Sequence, residues 1–264
     1  MSEIQTDVAE GARLSGDTPT MRLFALLEVM AGQDRRYTLQ DLVELTGLPK
    51  PTVHRMLQQL EGSGLLLRES DGRHYGIGSR LRRLAENLLL HDAKHGARHA
   101  VLRHLVDELG ETCNLTALSG TDVLYLDRVE TAAPLRFYLY PGSRVPVHCS
   151  ASGKVLLAQL TTAQRKRLLS HTPMERYTPN TLTTVDDYEK DIAQVKLNGY
   201  AFDNEEFLSG LFCVAVLVPR ADGKSNMAVA TQAPIMRMTP EKALQCLPAL
   251  QRAASALARI EEDF

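Results

Sequence analysis

Three observations predict an α+β chain: two short amphipathic segments joined by a Gly-containing turn, an apolar run closed by an Asp-Gly hairpin, and alternating strand-like and helical stretches beyond Glu111. The expected order is a flexible tail (1–17), a winged helix-turn-helix (18–78), a linker helix (79–98) and a larger antiparallel-sheet domain (99–264).

The tail is polar and acidic without periodicity. Over 18–31, Leu23, Leu27 and Met30 line one face of a first helix. A second helix, with Leu39, Leu42 and Val43 inward, stops at Thr46-Gly47-Leu48-Pro49. In the third, Val53, Met56, Leu57 and Leu60 fall at i, i+3, i+4 and i+7 and must pack inward. The opposite face and its flanks carry Pro51, Thr52, His54, Arg55, Gln58 and Gln59, with Lys50 at the helix mouth, a set of donors suited to phosphates and base edges. Pro51 suits the first turn, where a missing N–H costs nothing. Residues 65–68 and 73–77 flank Glu69-Ser70-Asp71-Gly72, a strong hairpin signal that puts Arg73 near the tip of a wing. Helix, turn, helix and wing in this order are the pattern of a DNA-binding domain.

Charge supports that reading only locally. The net charge is −2, yet 35–83 holds nine Lys/Arg against five acids, a balance of 9 − 5 = +4. So small an excess implies few phosphate contacts per chain, and useful affinity then needs two copies acting together.

After the wing, 79–90 is helical with Leu81, Leu84, Ala85 and Leu88 on one face, and Gly96 is expected to break the run before a helix with Leu102, Leu105, Val106 and Leu109 inward. Strands are then expected at 113–118, 123–129, 135–140, 200–204, 213–218 and 227–232, with helices at 152–160, 163–169, 186–197 and 240–260. Hairpin joins at 119–122 and 221–224 argue for antiparallel pairing.

With 264 residues, 44% hydrophobic and 23% charged, the chain has an ordinary globular composition with room for two domains. No membrane span or secretory signal is expected, and the cytoplasm is the expected compartment. Cys113, Cys149, Cys213 and Cys246 are scattered, fitting neither a zinc knuckle nor a disulfide framework.

Catalytic readings find little support. Such a reading would lean on His148-Cys149 or on Ser152 with Lys154, yet His148 and Cys149, adjacent on an expected strand, would face opposite ways. Walker-type phosphate binding fails because His148 stands where the first Gly belongs and Val155 where a Ser or Thr must hold the metal. No enzyme and no cofactor is expected. A metal-responsive alternative would place His91, His95 and His99 on one helix face, but Gly96 lies inside the run and no Cys joins it, so no metal ligands are assigned.

The motifs GLPKPTVHRML, LGETCNLTALSG, VLYLDRVET, PGSRVPVHCSASGKVLLA and GYAFDNEEFLSGLFCVAV, in this order, resemble the IclR family of bacterial transcription regulators over nearly all the chain beyond the tail. The resemblance implies a C-terminal domain related to GAF and PAS ligand sensors, dimers or tetramers on palindromic promoter DNA, and a small organic or aromatic acid as effector. Repression is the commoner family behaviour. Where Pro51 stands, the family more often has Ser. By resemblance, Ser150-Ala151-Ser152-Gly153, at the mouth of an apolar helix, forms one wall of an effector pocket, with Phe137, Asp203 and Cys213 on other walls and Ala230 and Gln232 completing it. Members that bind very small keto acids tend to have serines at those last two positions. Phe137, Leu139, a small Ala230 and the Gln232 amide instead suggest an apolar slot with a polar end, suited to a flat ring bearing a carboxylate, hence to aromatic catabolism. A helix N-terminus there is also a ready anion site.

Overall fold

The computed structural model describes residues 18–32, 35–90, 94–135, 137, 139–170, 172–221, 223 and 225–262. The chain divides into two compact units, Met1–Leu88 and Leu89–Phe264.

In the first unit, α1 (Pro19–Ala31) starts at Thr18, whose hydroxyl accepts from Met21 N. Leu26 and Met30 are its buried face, while Leu23 and Leu27 are half-buried. Then follow β1 (Tyr37–Thr38), α2 (Leu39–Thr46), α3 (Lys50–Gly62), β2 (Leu66–Arg68) and β3 (His74–Ile77). A capping box starts α2: Thr38 Oγ1 accepts from Asp41 N, and Asp41 accepts from Thr38 N. Gly47, at φ 65°, ends it in the left-handed conformation that a side chain resists. Helix α3 buries Val53, Met56, Leu57 and Leu60 as its 3.6-residue period demands. The wing pairs β2 with β3, and β1 completes a three-stranded sheet in the order β1-β3-β2.

Helix α4 (Ser79–Leu90) covers the described part of the linker up to 90, and α5 (His95–Leu109) begins with Gly96 in its first turn rather than breaking there. Glycine is tolerated at that end because few hydrogen bonds depend on it. His91 lies outside the described residues.

The second unit is built on a six-stranded antiparallel sheet, β6-β5-β4-β9-β8-β7. Its strands are β4 (Thr112–Ser119), β5 (Asp122–Val129), β6 (Arg144–Pro146), β7 (Tyr200–Asn204), β8 (Leu211–Leu217) and β9 (Met227–Pro234). The strand expected at 135–140 is absent among the described residues; Arg144–Pro146 forms the edge strand instead. The physical reason is the turn at Pro141-Gly142: Gly142 adopts φ 92° and Ser143 N bonds back to Tyr140 O, so the ladder resumes only beyond it.

Four further helices are α6 (Ala151–Ala158), α7 (Thr162–Ser170), α8 (Val185–Asn198) and α9 (Pro240–Glu262). Leu102 and Leu105 of α5 and Leu250 and Leu257 of α9 pack on one sheet face with Leu115, Val214 and Val229. On the other face, Val155 and Leu156 of α6 and Ile192 of α8 pack with Val123, Ala215 and Ala230. The contact is tight at Gly153, where a Cβ would lie 2.2 Å from the Val147 carbonyl oxygen.

The β4–β5 pairing carries an irregularity that matters below. Thr116 opposes Tyr125 but Leu115 opposes Asp127, so Leu126 is an extra residue on β5. Strict alternation would turn Asp127 to the same face as Tyr125. The bulge turns it to the face covered by α5, and Arg128 goes with Asn114 to the opposite one.

Candidate nucleic-acid interface and ligand cavity

On α3, Lys50, Pro51, His54, Arg55, Gln58 and Gln59 are exposed and Thr52 is half-buried. Lys50, Arg55 and Arg73 form no ion pair among the described residues, which leaves their charges available to phosphate. Arg73 is exposed in the wing hairpin, held by Asp71, whose carboxylate accepts from Arg73 N (2.9 Å) and His74 N (3.0 Å). These amide bonds hold Asp71 well below the usual carboxylate range. Arg36 is tied to Glu69 at 3.1 Å, while Arg35 and Arg68 stack on Tyr37 and Tyr75. Of Arg35, Arg36, Arg68 and Arg73, Arg73 alone makes no ion pair or ring contact among the described residues and can reach outward.

In the second unit, a cavity lies under α6 against the sheet. Leu139, Ala151, Ser152, Asp203, Cys213, Ala230 and Gln232 of the sequence-derived set line it. Phe137 does not line it; it is half-buried in the surrounding apolar cluster, near Gly210. Ser150, part of the expected wall segment, lines it too, and sequence reasoning missed Asn114, Val123, Tyr125, Val145, Phe207 and Leu211, which also line the cavity. The only sequence signal for Asn114 was a polar side chain inside an apolar strand.

The walls are mostly apolar, and three of the polar lining groups, Asn114, Tyr125 and Gln232, meet at one place. There, Gln232 Oε1 accepts from Asn114 Nδ2 (3.2 Å) and from the Tyr125 hydroxyl (3.4 Å). Buried Gln232 Nε2 and Asn114 Oδ1 have no hydrogen-bond partner among the described residues, and burying such groups unpaired costs about 1–3 kcal/mol each. Arg128 is buried beside this place and interacts electrostatically with Tyr125 and Cys213. Its Nη2 donates to Phe137 O, its Nε stands 3.6 Å from Glu130, and Nε and Nη1 lack hydrogen-bond partners. Burial pulls its pKa down, against the pull of neighbouring groups.

Asp203, at a sharp turn where Glu205 adopts φ 56°, accepts from Glu206 N (2.8 Å) and Phe207 N (3.3 Å). Burial and the nearby Glu206 charge push its carboxyl up to about 7. Burial likewise raises the Cys213 thiol and Tyr125 phenol. Behind α6, Lys154 Nζ is 2.5 Å from Glu206 and 3.1 Å from Asp191; burial would lower its pKa, but the two carboxylates outweigh that and raise it. At the α6 mouth, the Ser150 hydroxyl already accepts from Gly153 N, so part of the anion-binding capacity is taken by the protein itself.

His148 and Cys149 lie in a 3-10 turn (Val147–Cys149), not on a strand. His148 Nε2 bonds to Glu175 O and burial lowers its pKa, while burial raises the Cys149 thiol, the opposite of nucleophile activation. Among the described residues no helix is long and apolar enough to cross a membrane.

Comparison with known proteins matches this layout. Residues 19–70 match the IclR helix-turn-helix domain and residues 91–259 the bacterial transcriptional regulator IclR C-terminal domain. The chain is similar to a probable transcriptional regulator, SauR, of Cupriavidus necator, at 44% identity over 90% of this chain and 95% of that one. It is 31% identical to the transcriptional repressor IclR of Escherichia coli over 82% of this chain and 80% of that one. Among solved structures, the inducer-binding domain of an Acinetobacter PobR double mutant, in complex with 3-hydroxybenzoic acid, has a TM-score of 0.57 and 25% identity, covering 62% of this chain and 97% of that one. The chain therefore belongs to the IclR family of bacterial transcriptional regulators, which bind DNA through the helix-turn-helix domain and small molecules in the C-terminal domain.

Proposed function

We propose that this chain is a homo-oligomeric repressor whose promoter binding is switched by a small organic acid, of the aromatic carboxylate class, in the cavity under α6. The observation that carries the reading is the apolar slot ending in buried polar groups without partners, Gln232 Nε2 and Asn114 Oδ1, with the Arg128 guanidinium beside them. A flat ring satisfies the walls, and its carboxylate and any ring hydroxyl satisfy the polar end. The aromatic acid bound in the Acinetobacter relative supports the class. The cavity holds about 20 Å³, room for one or two waters, so a ring can enter only if lining side chains move, and Leu139 and Phe207, both half-buried and outside regular structure, are best placed to do so.

Lys50, Pro51, Thr52, His54, Arg55, Gln58, Gln59 and Arg73 are the proposed DNA contacts. Exposed Met21 and Phe24 on α1, and Leu84 and Leu88 on α4, supply apolar surface for a second copy, which the modest local charge makes necessary. Coupling runs through α4, whose last residues Leu89 and Leu90 pack on the core of the second unit. A coupling of about 1–3 kcal/mol per ligand is enough for a switch when several sites act together.

The test is thermal shift and calorimetry on the full chain with benzoate, 3-hydroxybenzoate, pyruvate and glyoxylate, followed by gel shift with the responsive acid. Stabilisation by the aromatic acids and release of promoter DNA are expected. Tight binding of glyoxylate or pyruvate with no response to the aromatic acids sinks the proposed class.

A further inference from the structure

The bulge in β5 brings the Asp127 carboxylate against two imidazoles of α5. His99 Nδ1 lies 3.1 Å from both Asp127 oxygens, and His95 Nε2 lies 3.6 Å from Oδ1. The histidines are four residues apart, so they stand over one another on one helix face, with rings 5.7 Å apart and 17° from parallel. Each offers a ligand atom, and these atoms and that of the carboxylate lie within 4.8 Å of one another. All three residues belong to the same unit.

We propose that His95, His99 and Asp127 form a binding site for a divalent transition-metal ion of the zinc type. Asp127 is 2% exposed, and its hydrogen-bond partners among the described residues are the two-faced His99 ring and the Arg128 amide (2.7 Å). A buried carboxylate needs a compensating positive charge, and a cation between the three groups supplies it. The ligand chemistry selects the ion: two imidazole nitrogens and one carboxylate are the donor set of zinc, cobalt or nickel rather than of magnesium or calcium, which prefer oxygen. With arms of about 2.0–2.1 Å, tetrahedral donors sit roughly 3.3 Å apart. The His99–Asp127 spacing matches that already, and the half-exposed His95 ring closes the remainder by rotation.

The site is open on its solvent side, so a water completes four-coordination. Two neighbouring ion pairs define its place: Arg98 and Lys94 of the same helical end reach Glu261 of α9. Metal would therefore pin the first turn of α5 to β5, on the opposite face of the strand from Arg128 and the ligand cavity. Binding is a separate property from the proposed acid-responsive function and does not depend on it.

The experiment is zinc titration of chelator-stripped, full-length protein by calorimetry, with metal content measured after dialysis and melting temperature as a second readout. The parent is expected to bind one zinc per chain and to melt higher with it, and magnesium should compete poorly. His95→Ala and His99→Ala should each lose more than about tenfold in affinity, since even groups that merely orient a metal ligand are worth that much. Asp127→Asn should lose as much, and the exposed His104→Ala should bind as the parent does. Because His95 and His99 are partly exposed, their variants fold even if the buried Asp127 variant does not. Failure of the parent to bind zinc, or undiminished binding and thermal shift in the His95→Ala/His99→Ala double variant, overturns the site.

Discussion

The side-chain oxygen of Gln232 accepts a hydrogen bond from Asn114 Nδ2 at 3.2 Å, across the β4–β9 pair, and the Gln232 amide nitrogen is left buried in the cavity wall without a partner among the described residues. A donor held there costs stability in the free protein and returns it when an acceptor arrives.

Replacing that donor separates ligand binding from folding. Gln232→Leu should weaken binding of the responsive acid by about tenfold, the worth of one hydrogen bond to a charged group, while DNA affinity without ligand is unchanged. Calorimetry with 3-hydroxybenzoate and gel shift on the same preparation read both. Equal acid affinity in parent and variant would remove Gln232 from the site.

If the acid binds in the proposed cavity, Asp203 should make its binding depend on pH. Its carboxyl, raised to about 7 by burial and by Glu206, is largely ionised above that value and repels an anionic ligand. Acid affinity should therefore rise as pH falls through about 7, and Asp203→Asn should flatten the profile. The same shift acts on folding: between 3.8 and about 7 the native state holds a proton that the unfolded chain has released, so stability falls as pH rises through that window. Asp203→Asn should accordingly be the more stable form above about pH 7, as urea midpoints would show. A parent stability rising with pH over this range contradicts the assignment.

On α3, Arg55 and Lys50 should fail differently. Arg55→Ala should lower affinity for operators selected by the parent from random DNA by about ten- to hundredfold, with effector affinity intact. Lys50→Ala should weaken all DNA alike and reduce the salt slope by about 1. Retained gel-shift specificity in Arg55→Ala would dismiss it as a base-reading residue.

At the mouth of α6, Gly153→Ala places a methyl group 2.2 Å from the Val147 carbonyl oxygen and 2.6 Å from its Cα, both backbone atoms that cannot turn aside. A loss of about 2 kcal/mol or more in chemical denaturation is expected, with distortion of the neighbouring cavity wall. A neutral substitution would mean the α6 junction relaxes freely.

Much of this was readable residue by residue. The Gly47 stop, the buried stripe of α3 and the Asp71-Gly72 hairpin all depend on neighbours a few positions apart, where period and turn chemistry act directly; the Thr38-Asp41 capping box, equally local, was overlooked. The 135–140 stretch misled because apolar alternation reports burial and not hydrogen-bonded pairing: Phe137 packs into the apolar cluster without joining the ladder. The placing of Phe137 on the cavity wall failed for the same reason. Asn114 and Tyr125 escaped notice because each is an ordinary strand residue until β9 brings Gln232 between them.

By itself, then, the sequence determined the order of most elements and the outward face of α3, since each follows from local periodicity, caps and turns, whereas the walls of a ligand pocket were implied only by the family resemblance. Only the tertiary structure decided which polar groups share a cavity and which are left without partners, because strand register joins positions as far apart as 114 and 232. It also decided, through one extra residue in β5, that Asp127 meets His99 on one face while Arg128 reaches toward the cavity on the other: a bulge reverses side-chain parity, and no single-strand pattern records it.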